Sequence, residues 1–214
     1  MRERFAKAPG DPYRYGVYLR PDPTTCAMVT AVTSQLRAQY GFVSAGAFPP
    51  HATLVGSQHI NAPVEAIVEA VTDGIAGTSA FTVHNAGISG LGVGLVYDVH
   101  HLADGTTPNQ ALVELAATVD KAVAPLVTPA PNPDEHRFDR ATFRAHLSLA
   151  SHDLFERPDL REEIEEYARG LPVEHPDRFT GDTVTLYRTR SDDWTGRWWR
   201  TLTWEHVHTW RLPG

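Results

Sequence analysis

The stretch HATLVGSQ, residues 51–58, follows Pro49 and Pro50 and sets a histidine two positions ahead of a threonine. In an extended chain, residues two apart share a face, so His51 and Thr53 project together while Ala52 and Leu54 turn to the other side. Alone, such a strand is ordinary, because a single strand histidine more often packs than does chemistry. RAHLSLAS, residues 144–151, changes the reading, since it sets His146 and Ser148 on one face and Leu147 and Leu149 on the other. Of the 11 histidines, only these two are followed two positions on by Ser or Thr and then by an aliphatic residue. Chance alone gives about 0.3 such matches in a chain of this composition.

Outward from the two motifs the chain reads as a mixture of strands and helices. YRYGVYLR, residues 13–20, is a strand, and a helix is predicted from Thr25 to Tyr40, closed by Gly41. NAPVEAIVEAVTDGIAG, residues 61–77, reads as a helix with Asn61 as cap, Pro63 in the first turn, and Val64, Ile67, Val68 and Val71 on one stripe. FTVHNAGISG and GVGLVYDVHHL suggest one hairpin, followed by a helix near Thr107 to Val123. TPAPNPDEH is a proline-rich loop, and a charged helix runs from about Pro158 to Gly170. The chain closes with the strands DTVTLYRT and WRTLTWEHVHTWRL around the loop RSDDWTGRW. The order β α β α β β α β α β β lacks the regular alternation of a doubly wound sheet. An α+β fold is expected, with residues 1–214 as one domain of two similar lobes. Antiparallel sheets would line a central cleft, with helices outside.

Two strands facing each other across that cleft would gather two imidazoles and two hydroxyls around one small volume. A tetrahedral phosphate suits the arrangement, because hydroxyls donate to its non-bridging oxygens. Two histidines near their usual pKa of about 6.5 can share the proton transfers of phosphodiester cleavage without a metal. His51 and His146 are therefore the candidate catalytic residues, and Thr53 and Ser148 the candidate phosphate-binding residues.

Composition narrows the partners. The net charge of −7 argues against affinity built on neutralising a long duplex nucleic acid. It leaves room for a small phosphorylated nucleotide or short oligonucleotide. No run of 18 apolar residues is present, and the charged opening MRERFAKAPGDP lacks an apolar core of signal-peptide length. A cytoplasmic, monomeric protein is expected, with no membrane partner and no cofactor. Cys26 is the single cysteine, which excludes an intramolecular disulfide. In DVHHL, Asp98, His100 and His101 read as a partly exposed edge, because adjacent strand histidines face opposite ways. His206 and His208 share a face but lack an apparent third ligand, so no metal site is expected.

The paired HATL and HLSL resemble the signature of the two-histidine (2H) phosphoesterase superfamily, which includes 2',3'-cyclic phosphodiesterases and RNA 2'-5' ligase-like proteins. LYRTRSDDWTG and WEHVHTWRL are similar to its closing strands. The resemblance implies a bilobal α+β fold, metal-independent chemistry, and a cyclic phosphate or 2'-5' phosphodiester as substrate. It also implies that Tyr18 in YGVYL stacks near the substrate. The superfamily's cyclic phosphodiesterase branch tends to carry a tyrosine soon after the second motif, where this chain has Ser151. From the residues, Arg144 shares strand parity with His146 and can bring positive charge to the phosphate, and Tyr187 can wall the cleft. Trp194, Trp198 and Trp199, among Arg190, Arg197 and Arg200, can stack bases, though a structural cation–π hairpin is the favoured reading. Hydrolysis of a small cyclic phosphate is the leading expectation. The alternatives are a 2'-5' ligase-like or 2'-5' phosphodiesterase activity, and a non-catalytic phosphate binder.

Overall fold

Alternation of apolar and polar positions builds the first strand, β1 (Arg14–Leu19). Its Tyr15, Val17 and Leu19 pack into the core. Arg14, Gly16 and Tyr18 take the opposite face by strand parity. These are coordinates of a computed structural model, which describes residues 12–128, 138–194 and 196–214. Helix α1 (Pro23–Tyr40) starts two residues before Thr25, because Pro23 fits the first turn and Asp22 caps it by accepting the Thr25 N–H at 2.7 Å. Gly41 ends it at φ 73°, a left-handed geometry that glycine adopts at little cost.

β2 (Ala52–Gln58) carries the first motif, and α2 (Val64–Ile75) follows it, burying Val64, Ile67, Val71 and Ile75. Asn61 does not cap α2: Pro63 holds that position without a side-chain bond. The backbone N–H of Asn61 instead donates to Leu126 O at 2.9 Å.

The expected single hairpin is two separate pairings. FTVHNAGISG breaks into β3 (Phe81–His84) and β4 (Ile88–Leu91), and Gly87 between them sits at φ 96°. β4 turns at Gly92 into β5 (Gly94–Asp98), whereas β3 pairs with β7 (Arg178–Gly181). Helix α3 (Gln110–Val123) begins after Asn109, whose side chain accepts the Leu112 N–H. Thr107 lies before it, in a turn in which Asp104 accepts the Thr106 and Thr107 N–H groups. Apart from Thr128, the TPAPNPDEH loop falls at residues 129–136, outside the described residues.

β6 (His146–Ala150) carries the second motif and ends in a short helix, α4 (His152–Glu156), that the sequence did not suggest. Helix α5 (Arg161–Gly170), β8 (Thr183–Arg190) and β9 (Thr203–Arg211) complete the chain. The strands form antiparallel sheets in the orders β2-β1-β8-β9 and β4-β5-β6, besides the β3-β7 pair. The fold is α+β, as expected. The two larger sheets share one buried apolar cluster, which includes Val17 and Leu19 from one and Leu95 and Leu147 from the other. Among the described residues no helix is long and apolar enough to cross a membrane.

Candidate active site

The two motifs lie in different sheets and meet at one cavity of about 490 Å³. His51 and Thr53 line it from one sheet, and His146 and Ser148 from the other. The strand pattern sets this up. Ala52 and Leu54 are buried behind β2, Leu147 and Leu149 are buried behind β6, and the intervening polar residues are left half-exposed at the cavity.

Each imidazole is held in the same way. The Nδ1–H of His51 donates to Pro49 O at 2.6 Å, and the Nδ1–H of His146 donates to Arg144 O at 2.7 Å. A carbonyl only accepts, so both rings carry the Nδ1 proton when neutral and Nε2 keeps its lone pair. Each histidine thus takes its tautomer from the carbonyl two residues before it. Tyr18 and Phe48 pack edge-on against the His51 ring, with centroids at 4.6 and 4.8 Å. Burial among them pushes the His51 pKa down to about 4, and the nearby His146 adds to the shift. His146 is also lowered by burial, while its bond to Arg144 O and the charge of Asp98 pull it back up. Asp98 stands opposite His146 in the β5–β6 register.

The cavity wall favours an anion. Among the described residues no Asp, Glu or Lys lines it, although the chain carries a net charge of −7, and Arg14 is part of its lining. Thr53 and Ser148 line this space beside the histidines. Tyr18 lines the wall, and its hydroxyl is 3.1 Å from Ser57 Oγ. Its ring lies over Gly16, where any Cβ would overlap it.

Two other candidates sit elsewhere. Arg144 precedes β6, so strand parity does not hold for it. Its Nη1 donates to the carbonyls of Ala141 (3.1 Å) and Phe143 (2.7 Å), and it lines a side cavity of about 310 Å³ together with Thr53 and His146. Tyr187 is buried and absent from the cavity wall; it backs Phe48 and Tyr18, with centroids at 5.1 and 6.0 Å.

The DVHHL segment also departs from expectation. His100 is buried rather than at an exposed edge, and His101 Nδ1 bonds Asp98 at 2.6 Å. His206 bonds Thr209 at 2.8 Å, and His208 packs on Trp210. Among the described residues no group of three or more His, Cys, Asp or Glu is placed to hold a metal ion.

Nothing in the local sequence marks Asp153. This buried carboxylate accepts the N–H groups of Val43 (2.7 Å) and Ser44 (2.5 Å) and the indole N–H of Trp199 (3.1 Å). It ties the loop leading to Phe48 and Pro49, and hence to His51, onto α4 and the late loop. The tryptophans divide accordingly. Trp199 is buried with its indole N–H on Asp153, whereas Trp194 and Trp198 line the cavity, stacked at 6.1 Å and 22°.

The family model of the 2'-5' RNA ligase superfamily matches residues 21–193. No curated protein matches the chain. Among solved structures, E. coli LigT complexed with 3'-AMP aligns at a TM-score of 0.54 and 15% identity, covering 95% of this chain and 100% of that one. LigT complexed with NADP+ aligns at 0.51 and 15%, covering 95% of this chain and 99% of that one. A structure described as a phosphoesterase aligns at 0.51 and 14%, covering 95% of this chain and 100% of that one. At these identities the likeness is one of fold.

Proposed function

The chain belongs to the 2'-5' RNA ligase superfamily, and from that membership we propose that it is a metal-independent phosphodiesterase acting on a small cyclic phosphate, with a 2',3'-cyclic nucleotide as the reference substrate. The observation that carries this reading is the pair of imidazoles facing one cavity that no described carboxylate lines, each with Nδ1 bonded to a carbonyl and Nε2 left for chemistry. LigT structures with 3'-AMP and NADP+ support a nucleotide-sized ligand.

The two histidines are not equivalent. His51, lowered to about 4, is neutral at working pH and suits a general base. His146, with Asp98 favouring its charged form, holds a proton to higher pH and suits a general acid. In this mechanism His51 Nε2 takes a proton from water as its oxygen bonds to phosphorus. The ring P–O bond breaks in line, and His146 gives its proton to the departing ribose oxygen. One water is consumed and a phosphomonoester is left. Thr53 and Ser148 donate hydrogen bonds to the non-bridging oxygens as charge builds on them. Tyr18 and Phe48 keep water from His51 and so hold its pKa down.

The test is a panel of 2',3'-cyclic mononucleotides, ADP-ribose cyclic phosphate and 2'-5' dinucleotides, read by product mass in excess chelator. Hydrolysed cyclic phosphate is the expected product. Cleavage of dinucleotides alone would favour the 2'-5' phosphodiesterase reading. Saturable binding without product would make the chain a binder, and activity lost to chelator would overturn the metal-free mechanism.

A further inference from the structure

The lining of the main cavity includes two buried N–H donors that no described protein group satisfies. Arg14 Nε and Trp194 Nε1 are both buried and have no hydrogen-bond partner among the described residues. Both side chains line the same cavity as the histidines. They are also in contact, since the Arg14 guanidinium lies 4.0 Å from the centroid of the Trp194 ring. Burial lowers the Arg14 pKa, as expected of a cation removed from water without a counter-charge. Buried donors are nearly always paired in native proteins, and two orphans on one wall of an active-site cavity mark an acceptor that arrives with a ligand.

The position of this pair follows from the strand register. Tyr18 stands opposite Thr53 on β2, and Arg14 stands opposite Thr189 on β8. Ser57, on the same β2 strand as Thr53, bonds Thr189 Oγ1 at 3.3 Å, so Ser57 marks the Arg14 end. Thr53 and Ser57 are four residues apart, about 13 Å of extended chain. Thr53 and Arg14 line one cavity, so a ligand reaching from one to the other spans that distance less the length of their side chains, roughly one nucleoside. Trp194 and Trp198 line the same cavity and stack on each other, which gives it an aromatic surface.

We propose that Arg14 and Trp194 form a second phosphate subsite, so that the substrate is a nucleoside bearing the reacting phosphate on its 2',3' edge and another phosphate at its 5' position. This rests on the phosphodiesterase reading for the identity of the first phosphate. The 5' group is either a terminal phosphate or the internucleotide phosphate of a short strand. Arginine serves both, because its planar donors pair two phosphate oxygens at once.

The test is equilibrium binding, so it does not depend on turnover. Titrations with adenosine 3',5'-bisphosphate and adenosine 3'-phosphate are compared in the wild-type protein, Arg14→Gln and Trp194→Phe, with melting temperature as the check on folding. The wild type is expected to bind the bisphosphate about tenfold or more tightly than the monophosphate. That ratio should fall to near one in Arg14→Gln and be partly lost in Trp194→Phe, which keeps an aromatic ring and removes the indole N–H. Equal affinities in the wild type, or an unchanged ratio in Arg14→Gln, would overturn the subsite. So would a preference for guanosine over adenosine 3'-phosphate that disappears in Arg14→Gln, because the pair would then read a base edge. If neither ligand binds, the fault lies with the nucleotide reading itself. Bisphosphates of adenosine and of a dinucleotide carrying a 3'-phosphate separate the terminal from the internucleotide source.

Discussion

Replacing His51 with alanine is expected to lower kcat on a 2',3'-cyclic nucleotide by at least about 10²-fold, and His146→Ala is expected to do the same. Each substitution removes one proton-transfer group while leaving the other imidazole and the two hydroxyls in place. The loss should fall mainly on kcat rather than KM, because proton transfer belongs to the transition state and not to ground-state binding. The double variant should be little worse than either single one, since two groups that act in one step fail together. Neither substitution should unfold the protein. Both rings are only half-buried at the cavity wall, and each Nδ1 bonds a backbone carbonyl rather than bridging elements. Melting curves and steady-state kinetics on the same preparations check both statements. Full turnover by either variant would sink the paired mechanism.

The second large effect is on stability and comes from a residue remote in sequence from His51. Asp153→Ala strips the acceptor from the N–H groups of Val43 and Ser44 and from the Trp199 indole, all at a buried position. A buried donor left unpaired costs about 1–3 kcal/mol, so three together should cost about 3 kcal/mol or more. For a chain of 214 residues that is a fall in Tm of about 6–12 °C. Asp153→Asn keeps one acceptor oxygen and should cost roughly half as much. Activity should fall as well under conditions where Asp153→Ala is still folded, because the freed loop carries Pro49, whose carbonyl orients His51. Urea unfolding and kcat measured side by side would show this. A variant as stable as wild type would mean that the loop finds its hydrogen bonds elsewhere.

What could be read ahead of the structure was what strand parity governs. β2 and β6 obey the period of two, so the faces of His51, Thr53, His146 and Ser148 followed directly from spacing, as did the buried Ala52, Leu54, Leu147 and Leu149. Tyr18 was singled out by the family resemblance rather than by spacing, and it lines the same cavity. Arg144 shows where that logic stops: residues 141–145 are not a strand, and the arginine is turned back onto the carbonyls of its own turn. The pairing of β3 with β7 joins segments with no local signal, since the link is made only by register across the folded chain. Asp153 was invisible because its acceptor role depends on backbone groups 109 and 110 residues away. Asn61 and Asn109 are both good capping residues, but only Asn109 is followed directly by its helix, whereas Pro63 holds the cap position ahead of α2.

The central claim is that two imidazoles of unlike pKa share one cleavage, and the pH dependence of kcat/KM tests it most directly. That ratio reports the free enzyme, in which the base must be neutral and the acid protonated. As pH falls through about 4, His51 takes up a proton and the rate should drop. As pH rises through the pKa of His146, which lies below the ordinary 6.5, the acid is lost and the rate should drop again. The account predicts a bell with its maximum on the acidic side of 6.5, measured where circular dichroism shows the protein folded. In His51→Ala the acid limb should vanish from whatever activity remains. A rate that is flat from pH 4 to 8, or an acid limb that survives in His51→Ala, would contradict it.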